Sequence, residues 1–232
     1  MGSLVTYQLD GSVATITMDD GKVNVMSLSM LAEINAAFDR AAADRAIVIL
    51  GGRPGVFSAG FDLSTLRARA SEAKAMLRAG FELAERVLSF PTPVVIACTG
   101  HAVAMGVFLL LSGDYRVGAA GPYKLAANEV AIGLTMPRAA VEILRQRLAP
   151  ATFNRAVMLA EPFSPDNAVA AGFLDRVVAA TELKGVVASA AAALSALDMG
   201  AHAKSKLRAR GQALAAIRAA IHDDDADFQP LG

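Results

Sequence analysis

Two short, continuously apolar runs constrain the fold of this chain more than any other feature. Residues 46–50 (AIVIL) precede a glycine-rich loop at 51–55, and residues 94–98 (VVIAC) follow a stretch whose periodicity predicts a helix over 71–90. Runs without polar alternation are typical of strands that are buried on both faces, as parallel sheets require. The alternation of strand, loop and helix therefore predicts a mixed α/β domain, with its ligand site where the strands end.

The flanking segments fit the same fold class. Residues 4–9 and 13–18 alternate in polarity around a glycine-containing turn and predict a hairpin. Ser27 or Ser29 can cap a following helix that ends near residue 43. Further along, the pattern predicts short strands at residues 123–126 and 173–178. It also predicts helices at residues 137–148, 151–159 and 165–171.

A shift in composition near residue 180 predicts a boundary between a main domain, residues 1–180, and a C-terminal helical region, residues 181–232. A chain of this length can bury one large core. The last helix, predicted over 202–222, carries many cations, which favours a solvated or partner-facing surface: Lys204, Lys206, Arg208, Arg210 and Arg218. We expect the acidic run at 223–225 to be a frayed, solvated tail.

Charge and cysteine content exclude several classes of protein. The 22 basic and 22 acidic residues balance, so no overall field favours nucleic acid or an anionic membrane. Cys98 is the only cysteine, which excludes an internal disulfide and a cysteine-based metal cluster, and the histidines lack metal-ligand spacing. Residues 1–17 do not have the pattern of a secretion signal, and the apolar run 103–111 is too short to span a bilayer. We therefore expect a cytoplasmic protein without a metal.

Three stretches carry the strongest functional signal: residues 57–63 (FSAGFDL), 100–108 (GHAVAMGVF) and 128–133 (NEVAIG). In order and spacing they resemble the crotonase family of enoyl-CoA hydratases and isomerases. Three weaker stretches extend the resemblance over nearly the whole chain, at 22–26 (KVNVM), 113–117 (GDYRV) and 171–178 (AGFLDRVV).

The resemblance implies a fold and a class of ligand. The fold would be a spiral of strand-strand-helix repeats with terminal helices that pack in a homotrimer, and trimers of this kind can pair into hexamers. The ligand would be an acyl-CoA or enoyl-CoA thioester. Because coenzyme A is then part of the substrate, no separate cofactor is expected.

In the family, two backbone amides hold the thioester carbonyl, and the matching positions are Phe61 and Met105. When a proton leaves the carbon next to this carbonyl, negative charge moves onto the oxygen, and fixed N–H donors can receive it without reorganising. Gly60 and Gly106 would allow the close backbone approach that such a site needs.

The resemblance also implies contacts to coenzyme A. Ala59, Gly60 and Leu63 would bind its head through the backbone, and Lys22 would meet a phosphate. Ser64 stands where many relatives carry a basic residue. We interpret Asp62 as a residue that ties down this loop rather than one that touches substrate.

Glu129 matches a catalytic acid/base of the family. Its apolar neighbours, among them Val130 and Ile132, should desolvate the carboxylate and make it a stronger base. The alternative is a solvated surface glutamate beside a turn. His101 could be imagined as a second acid/base, but a lone histidine before an apolar run is more often a structural hydrogen-bonding group.

Phe108 stands where hydratases carry a second glutamate. A phenyl ring can neither orient a water molecule nor exchange a proton, whereas one base can move a proton from carbon 2 to carbon 4. The sequence therefore predicts a 3-enoyl-CoA to 2-enoyl-CoA isomerase whose base is Glu129. Two alternatives stay open: an enoyl-CoA hydratase in which another group replaces the missing glutamate, and a non-catalytic acyl-CoA-binding protein. Phe108 could shape the substrate pocket, fill the core, or do both.

Overall fold

A computed structural model describes residues 2–68 and 70–226 of the chain. The strands are β1 Val5–Asp10, β2 Val13–Met18, β3 Val25–Met26, β4 Ile47–Gly51, β5 Gly55–Ser58, β6 Gly60–Phe61, β7 Val94–Cys98, β8 Gly100–Val103, β9 Tyr115–Ala119, β10 Leu125–Ala126 and β11 Arg176–Val178. The helices are α1 Leu28–Ala43, α2 Leu63–Ala68, α3 Ala70–Ser89, α4 Met105–Ser112, α5 Arg138–Arg145, α6 Pro150–Leu159, α7 Pro165–Ala171, α8 Leu183–Leu194 and α9 Met199–Ala226.

The strands form one large sheet and two small ones. The large sheet has the order β1-β2-β4-β7-β9-β11, with β1 antiparallel to β2 and all other neighbours parallel. The smaller sheets have the orders β10-β8-β5 and β3-β6. In four successive units a strand of the large sheet is followed by one strand of a small sheet, or by two in the unit that begins with β4, and then by a helix. This confirms the predicted α/β spiral of strand-strand-helix repeats.

The local signals behind this prediction are visible in the structure. Strands β4 and β7 are buried at every position, as their continuous apolar runs require. The β1-β2 hairpin closes with Asp10 opposite Val13. Of the two candidate caps of α1, Ser27 is the one used, and its side chain accepts a hydrogen bond of 3.2 Å from the amide of Met30.

Several elements are shorter than predicted. Strand β10 begins only at Leu125, and β11 only at Arg176, because Phe173 and Leu174 pack into the core and do not pair in the sheet. Helix α5 occupies only part of the range predicted over 137–148, and Pro137 is its N-cap residue. The short strands β3, β5, β6 and β8 were not predicted, since two to four residues are too few to show a period.

The prediction of a solvated or partner-facing cationic surface on the last helix is wrong for two of its residues, which are paired inside this chain. Lys206 is buried, and its ammonium lies 2.6 Å from Asp114, which also pairs with Arg210 at 2.9 Å. Lys206 further donates hydrogen bonds to the carbonyls of Phe90 and Thr92. These cations are buried because they satisfy the acceptors that α3 leaves at its C-terminal end.

The acidic run near the end of the chain is not a frayed tail, because α9 continues through it to Ala226. The Asp224 carboxylate accepts hydrogen bonds of 2.9 Å from the amides of Arg138 and Ala139 and so caps α5. Asp225 lies 3.4 Å from the ammonium of Lys74 on α3. Helix α9 is thereby attached to both helices against which it packs, while the domain boundary near residue 180 stays a prediction.

Within residues 2–68 and 70–226, no single helix is long and apolar enough to span a membrane. Helices α8 and α9 reach the required length and composition only as a pair, which is bent by 103°.

Candidate active site

A cavity of about 730 Å³ lies where the loop before β6, the N-terminus of α4, the segment after β10 and helices α2, α3 and α9 meet. Most of its wall is apolar. It brings together five of the residues that the sequence singled out: Ala59, Phe61, Leu63, Phe108 and Glu129.

Glu129 is the buried carboxylate of this cavity. The residue is 6% exposed, it precedes the single 3-10 turn Val130–Ile132, and its Oε2 atom has no hydrogen-bond partner in the described structure. Desolvation raises the pKa of Glu129 from 4.5 to about 7. The interpretation as a solvated surface glutamate is therefore wrong, and the predicted desolvation is confirmed.

The source of this burial differs in part from the one predicted. Val130, expected to help desolvate the carboxylate, is 43% exposed. Ile132 lines the cavity, but it too is exposed. The cavity that Glu129 lines is also lined by residues from other elements, among them Phe108 on α4.

Asn128 is a cavity residue for which the sequence analysis proposed no role. Its Oδ1 atom is buried and, like Oε2 of Glu129, has no partner among the described residues. Two acceptors that lack donors therefore stand next to each other along the chain at the cavity wall. Buried acceptors of this kind are normally satisfied by a ligand or an ordered water.

Phe108 both lines the cavity and fills the core, so the two interpretations of this residue hold together. It is fully buried, and its ring stacks on Phe81 with centroids 5.9 Å apart. Phe81 in turn meets the ring of Phe61 edge-on at 6.0 Å. The three rings form a continuous aromatic part of the cavity wall.

The two segments that would supply the amide donors lie against each other. Gly60 has φ +93°, and a Cβ atom added there would lie 2.8 Å from the Cβ of Ala104 and 3.4 Å from the amide nitrogen of Met105. Only glycine fits this backbone and this contact. Met105 is the first residue of α4, where an amide has no acceptor within the helix. The Met105 amide is therefore left without an acceptor from its own helix, and the residue itself is fully buried.

Gly106 has a different part in this arrangement. A Cβ atom there would lie 2.5 Å from the carbonyl oxygen of Ser58, so Gly106 lets α4 approach the end of β5. Gly60, Met105 and Gly106 do not line the cavity themselves, but support the wall formed by Ala59, Phe61 and Ala104.

Lys22 is not brought to the cavity. It lies exposed in the turn before β3, where its carbonyl accepts a hydrogen bond of 3.0 Å from Arg53. Its contact with a phosphate stays a prediction.

The structural interpretations of two polar residues are confirmed. Asp62 accepts hydrogen bonds from the amide and the hydroxyl of Ser64 at 2.9 and 2.6 Å and from the hydroxyl of Thr65 at 3.1 Å. These hydrogen bonds, led by that of the Ser64 hydroxyl, hold the pKa of Asp62 below its usual value. His101 accepts a hydrogen bond from the amide of Lys124 through Nδ1 and does not line the cavity.

One side of the cavity comes from a stripe on α3 that the sequence analysis missed. Lys74, Leu77, Arg78 and Phe81 all line it. They follow the i, i+3, i+4, i+7 spacing of one helix face, which was a readable signal. The two cations of this stripe lie 3.4 and 3.7 Å from Asp225.

The other carboxylates of the cavity differ from Glu129. Asp224 caps α5 and pairs with Arg138 at 3.6 Å, and Asp225 pairs with the cations of α3. Of the carboxylates that line the cavity in the described structure, Glu129 alone has a buried oxygen, Oε2, without a hydrogen-bond partner. No group of three or more His, Cys, Asp or Glu side chains in residues 2–68 and 70–226 could hold a metal ion.

Residues 8–226 match the family model described as enoyl-CoA hydratase/isomerase. The chain belongs to this family. Among solved family members, the enoyl-CoA hydratase EchA3 from Mycobacterium ulcerans is 48% identical with a TM-score of 0.94, over 97% of this chain and 100% of that one. An enoyl-CoA isomerase from Mycobacterium tuberculosis is 47% identical with a TM-score of 0.95, over 98% and 100%.

A curated member of the enoyl-CoA hydratase/isomerase family gives a more distant comparison. Human enoyl-CoA delta isomerase 1, mitochondrial, is 29% identical over 231 residues, which cover 97% of this chain and 76% of the human protein. The names of the relatives thus include both hydratases and isomerases. The bacterial hydratase and the bacterial isomerase are almost equally identical to this chain. Membership of the enoyl-CoA hydratase/isomerase family does not decide between the two activities.

Proposed function

We propose that this protein is a 3-enoyl-CoA to 2-enoyl-CoA isomerase in which Glu129 is the single acid/base. One observation carries the proposal. Glu129 is a buried carboxylate whose Oε2 atom has no partner, it lines a largely apolar cavity, and the ring of Phe108 lines the same cavity. By the family resemblance, Phe108 stands where hydratases carry a second glutamate. One carboxylate suffices to move a proton, whereas hydration ordinarily uses two to hold and activate water.

The reaction begins with removal of a proton from carbon 2 by Glu129. The electron pair of the broken C–H bond delocalises through the thioester, and negative charge develops on the carbonyl oxygen. The amides of Phe61 and Met105 donate hydrogen bonds to this oxygen. Their positions are set before the reaction by the contact between Gly60 and Ala104.

The reaction ends when the same carboxyl group returns its proton to carbon 4. The double bond then lies between carbons 2 and 3, and Glu129 is again ionised. A pKa of about 7 suits this cycle, because the group must both accept and release a proton near neutral pH. The aromatic wall of Phe61, Phe81 and Phe108 keeps water away from the dienolate.

One observation favours hydration as the second candidate. The unpartnered Oδ1 of Asn128 and Oε2 of Glu129 are both acceptors, and a water molecule that bridged them could be activated by the carboxylate. In that case Asn128 would replace the missing glutamate. An amide cannot exchange a proton as a carboxylate does, which is why this candidate ranks second.

Isotope transfer tests the proposal directly. A 3-enoyl-CoA that carries deuterium at carbon 2 is converted in ordinary water, and the product is examined by NMR. Transfer by one base predicts deuterium at carbon 4 of the 2-enoyl product, and conversion by Glu129→Gln that is slower by about two to four powers of ten. No conversion of this ester by wild type, together with hydration of a 2-enoyl-CoA to a 3-hydroxyacyl-CoA, would contradict the isomerase and favour hydration.

The proposal includes assembly as a homotrimer or hexamer, as the family resemblance implies. Met158 and Leu159 at the end of α6 are large, apolar and exposed in the single chain, which supports burial by a second copy. Sedimentation of the purified protein would test this, and a monomer at micromolar concentration would contradict it.

A further inference from the structure

A second, smaller pocket adjoins the active-site cavity. It has a volume of about 240 Å³ and is bordered mainly by charged side chains of α3 and α9: Arg78, Glu82, Glu85, Arg218 and His222. Arg78 and Ile221 border both the cavity and this pocket. These two side chains therefore lie in the partition between an apolar space and a charged one.

Ile221 is the apolar member of this partition. It is 9% exposed and lies on α9, and the cavity that it lines is also lined by the apolar Leu66, Leu77 and Met136 and by the ion-paired Lys74 and Asp225. On its far side the ion pairs Arg78–Glu82 and Arg218–Glu85 make the second pocket polar. An alkyl chain would be stabilised on the cavity side of Ile221 and not beyond it.

The end of α9 holds this partition in place from two directions. The Asp224 carboxylate accepts two amide hydrogen bonds of 2.9 Å from the first turn of α5. Asp225 lies 3.4 Å from Lys74 on α3. Ile221 is one helical turn before these contacts, so its position is fixed relative to both neighbouring helices.

We infer that Ile221 limits the length of the acyl chain that the cavity accepts. This inference rests on the proposed function, since it takes the ligand to be a fatty acyl thioester. The carbonyl of such a ligand would lie by the amides of Phe61 and Met105. The polar coenzyme A part suits the exposed edge at Ala59 and Leu63, which leaves the apolar space toward Ile221 for the alkyl chain.

Substitutions of opposite size test the inference. Ile221→Ala removes three carbons from the partition and opens the cavity toward the second pocket, while Ile221→Phe fills space on the cavity side. The matched control is Ile217→Ala, one turn earlier on the same helix, because Ile217 is buried in the core and does not line the cavity. Each methylene that becomes newly buried should strengthen binding about fourfold.

The measurement is the affinity of each protein for unreactive saturated esters, from butanoyl-CoA to hexadecanoyl-CoA, by calorimetry. The inference predicts that the best-bound chain is about two carbons longer for Ile221→Ala and shorter for Ile221→Phe, with no shift for Ile217→Ala. An unchanged optimum in both Ile221 variants would overturn it. A different result would overturn the proposed function itself. That result is wild-type protein that binds these esters without isomerising a 3-enoyl-CoA, or that binds none of them.

Discussion

Glu129 and Phe108 share the wall of one cavity, the first as a buried carboxylate whose Oε2 atom has no hydrogen-bond partner and the second as a fully buried ring. Phe108 lies on α4 and Glu129 in the turn after β10, and the fold brings both to the same cavity. The pairing restricts the chemistry, because the carboxylate can exchange a proton and the ring cannot.

The rate of isomerisation should depend on a single ionisation. Burial raises the pKa of Glu129 to about 7, and the base must be ionised to accept the first proton. We expect kcat/KM for a 3-enoyl-CoA to rise with pH and to level off above about pH 7. Phe108→Ala should move the midpoint downward, because water then reaches the carboxylate. A wild-type midpoint near the ordinary glutamate value would contradict the account.

The same burial should make the ionised form of Glu129 destabilise the folded protein. Its pKa is about 7 when folded and 4.5 in the reference state, so the folded protein binds the extra proton between these values and loses stability as pH rises through them. Glu129→Gln removes this cost. We therefore compare the free energy of unfolding of the variant with that of wild type at two pH values. The variant's advantage should be greater at about pH 8 than at about pH 5, by about 2 kcal/mol.

Denaturant unfolding at the two pH values measures this difference. Glu182→Gln, at an exposed position on α8's N-terminal side, is the control for the change from Glu to Gln itself. A Glu129→Gln variant that is less stable than wild type at the higher pH would contradict the structural account of the carboxylate.

Gly60→Ala should move the two amide donors out of the positions from which they can reach the thioester oxygen. The new Cβ would lie 2.8 Å from the Cβ of Ala104, so the two loops must move apart. We expect kcat to fall by about two to three powers of ten, the usual cost of losing one such donor. Gly11→Ala is a control for backbone strain, because Gly11 also has a positive φ but open space around it. Equal activity in the Gly60 variant and wild type would exclude the assigned donors.

The buried ion pairs that attach α9 to the rest of the protein should contribute more to its free energy of unfolding than an exposed ion pair does. Asp114→Ala leaves Lys206 buried without its carboxylate, which should cost about 3 to 5 kcal/mol in denaturant unfolding. The exposed pair of Arg78 and Glu82 is the comparison, and Glu82→Ala should cost less than about 1 kcal/mol. Similar costs for the two substitutions would show that the Asp114 cluster does not hold the helix.

Local patterns were sufficient to predict the framework of the fold. Continuous apolar runs identified β4 and β7, alternation identified the β1-β2 hairpin, and Ser27 was one of two caps expected for α1. Each of these signals depends on neighbours in the chain. The positions of Glu129, Phe61 and Met105 as site residues came from the family resemblance, since no local pattern reveals that Gly60 meets Ala104.

Features that depend on distant segments were not predictable from local pattern. Lys206 was expected on a solvated face, and it is buried because Asp114 and the carbonyls at the end of α3 provide its partners. Asp224 was expected in a solvated tail and instead caps α5. In both cases the charge was readable in the sequence, but the acceptor or donor that it meets is brought there only by the fold.

The most direct test of the central claim is a paired assay of the wild-type protein and Glu129→Gln on a 3-enoyl-CoA and a 2-enoyl-CoA, with binding of the esters measured alongside. We predict that wild type converts the 3-enoyl ester with little hydration of the 2-enoyl ester. The variant should bind both esters and lose about two to four powers of ten in isomerisation. Rapid Glu129-dependent hydration would contradict the argument from Phe108, and tight binding without turnover of either ester would contradict an enzymatic role.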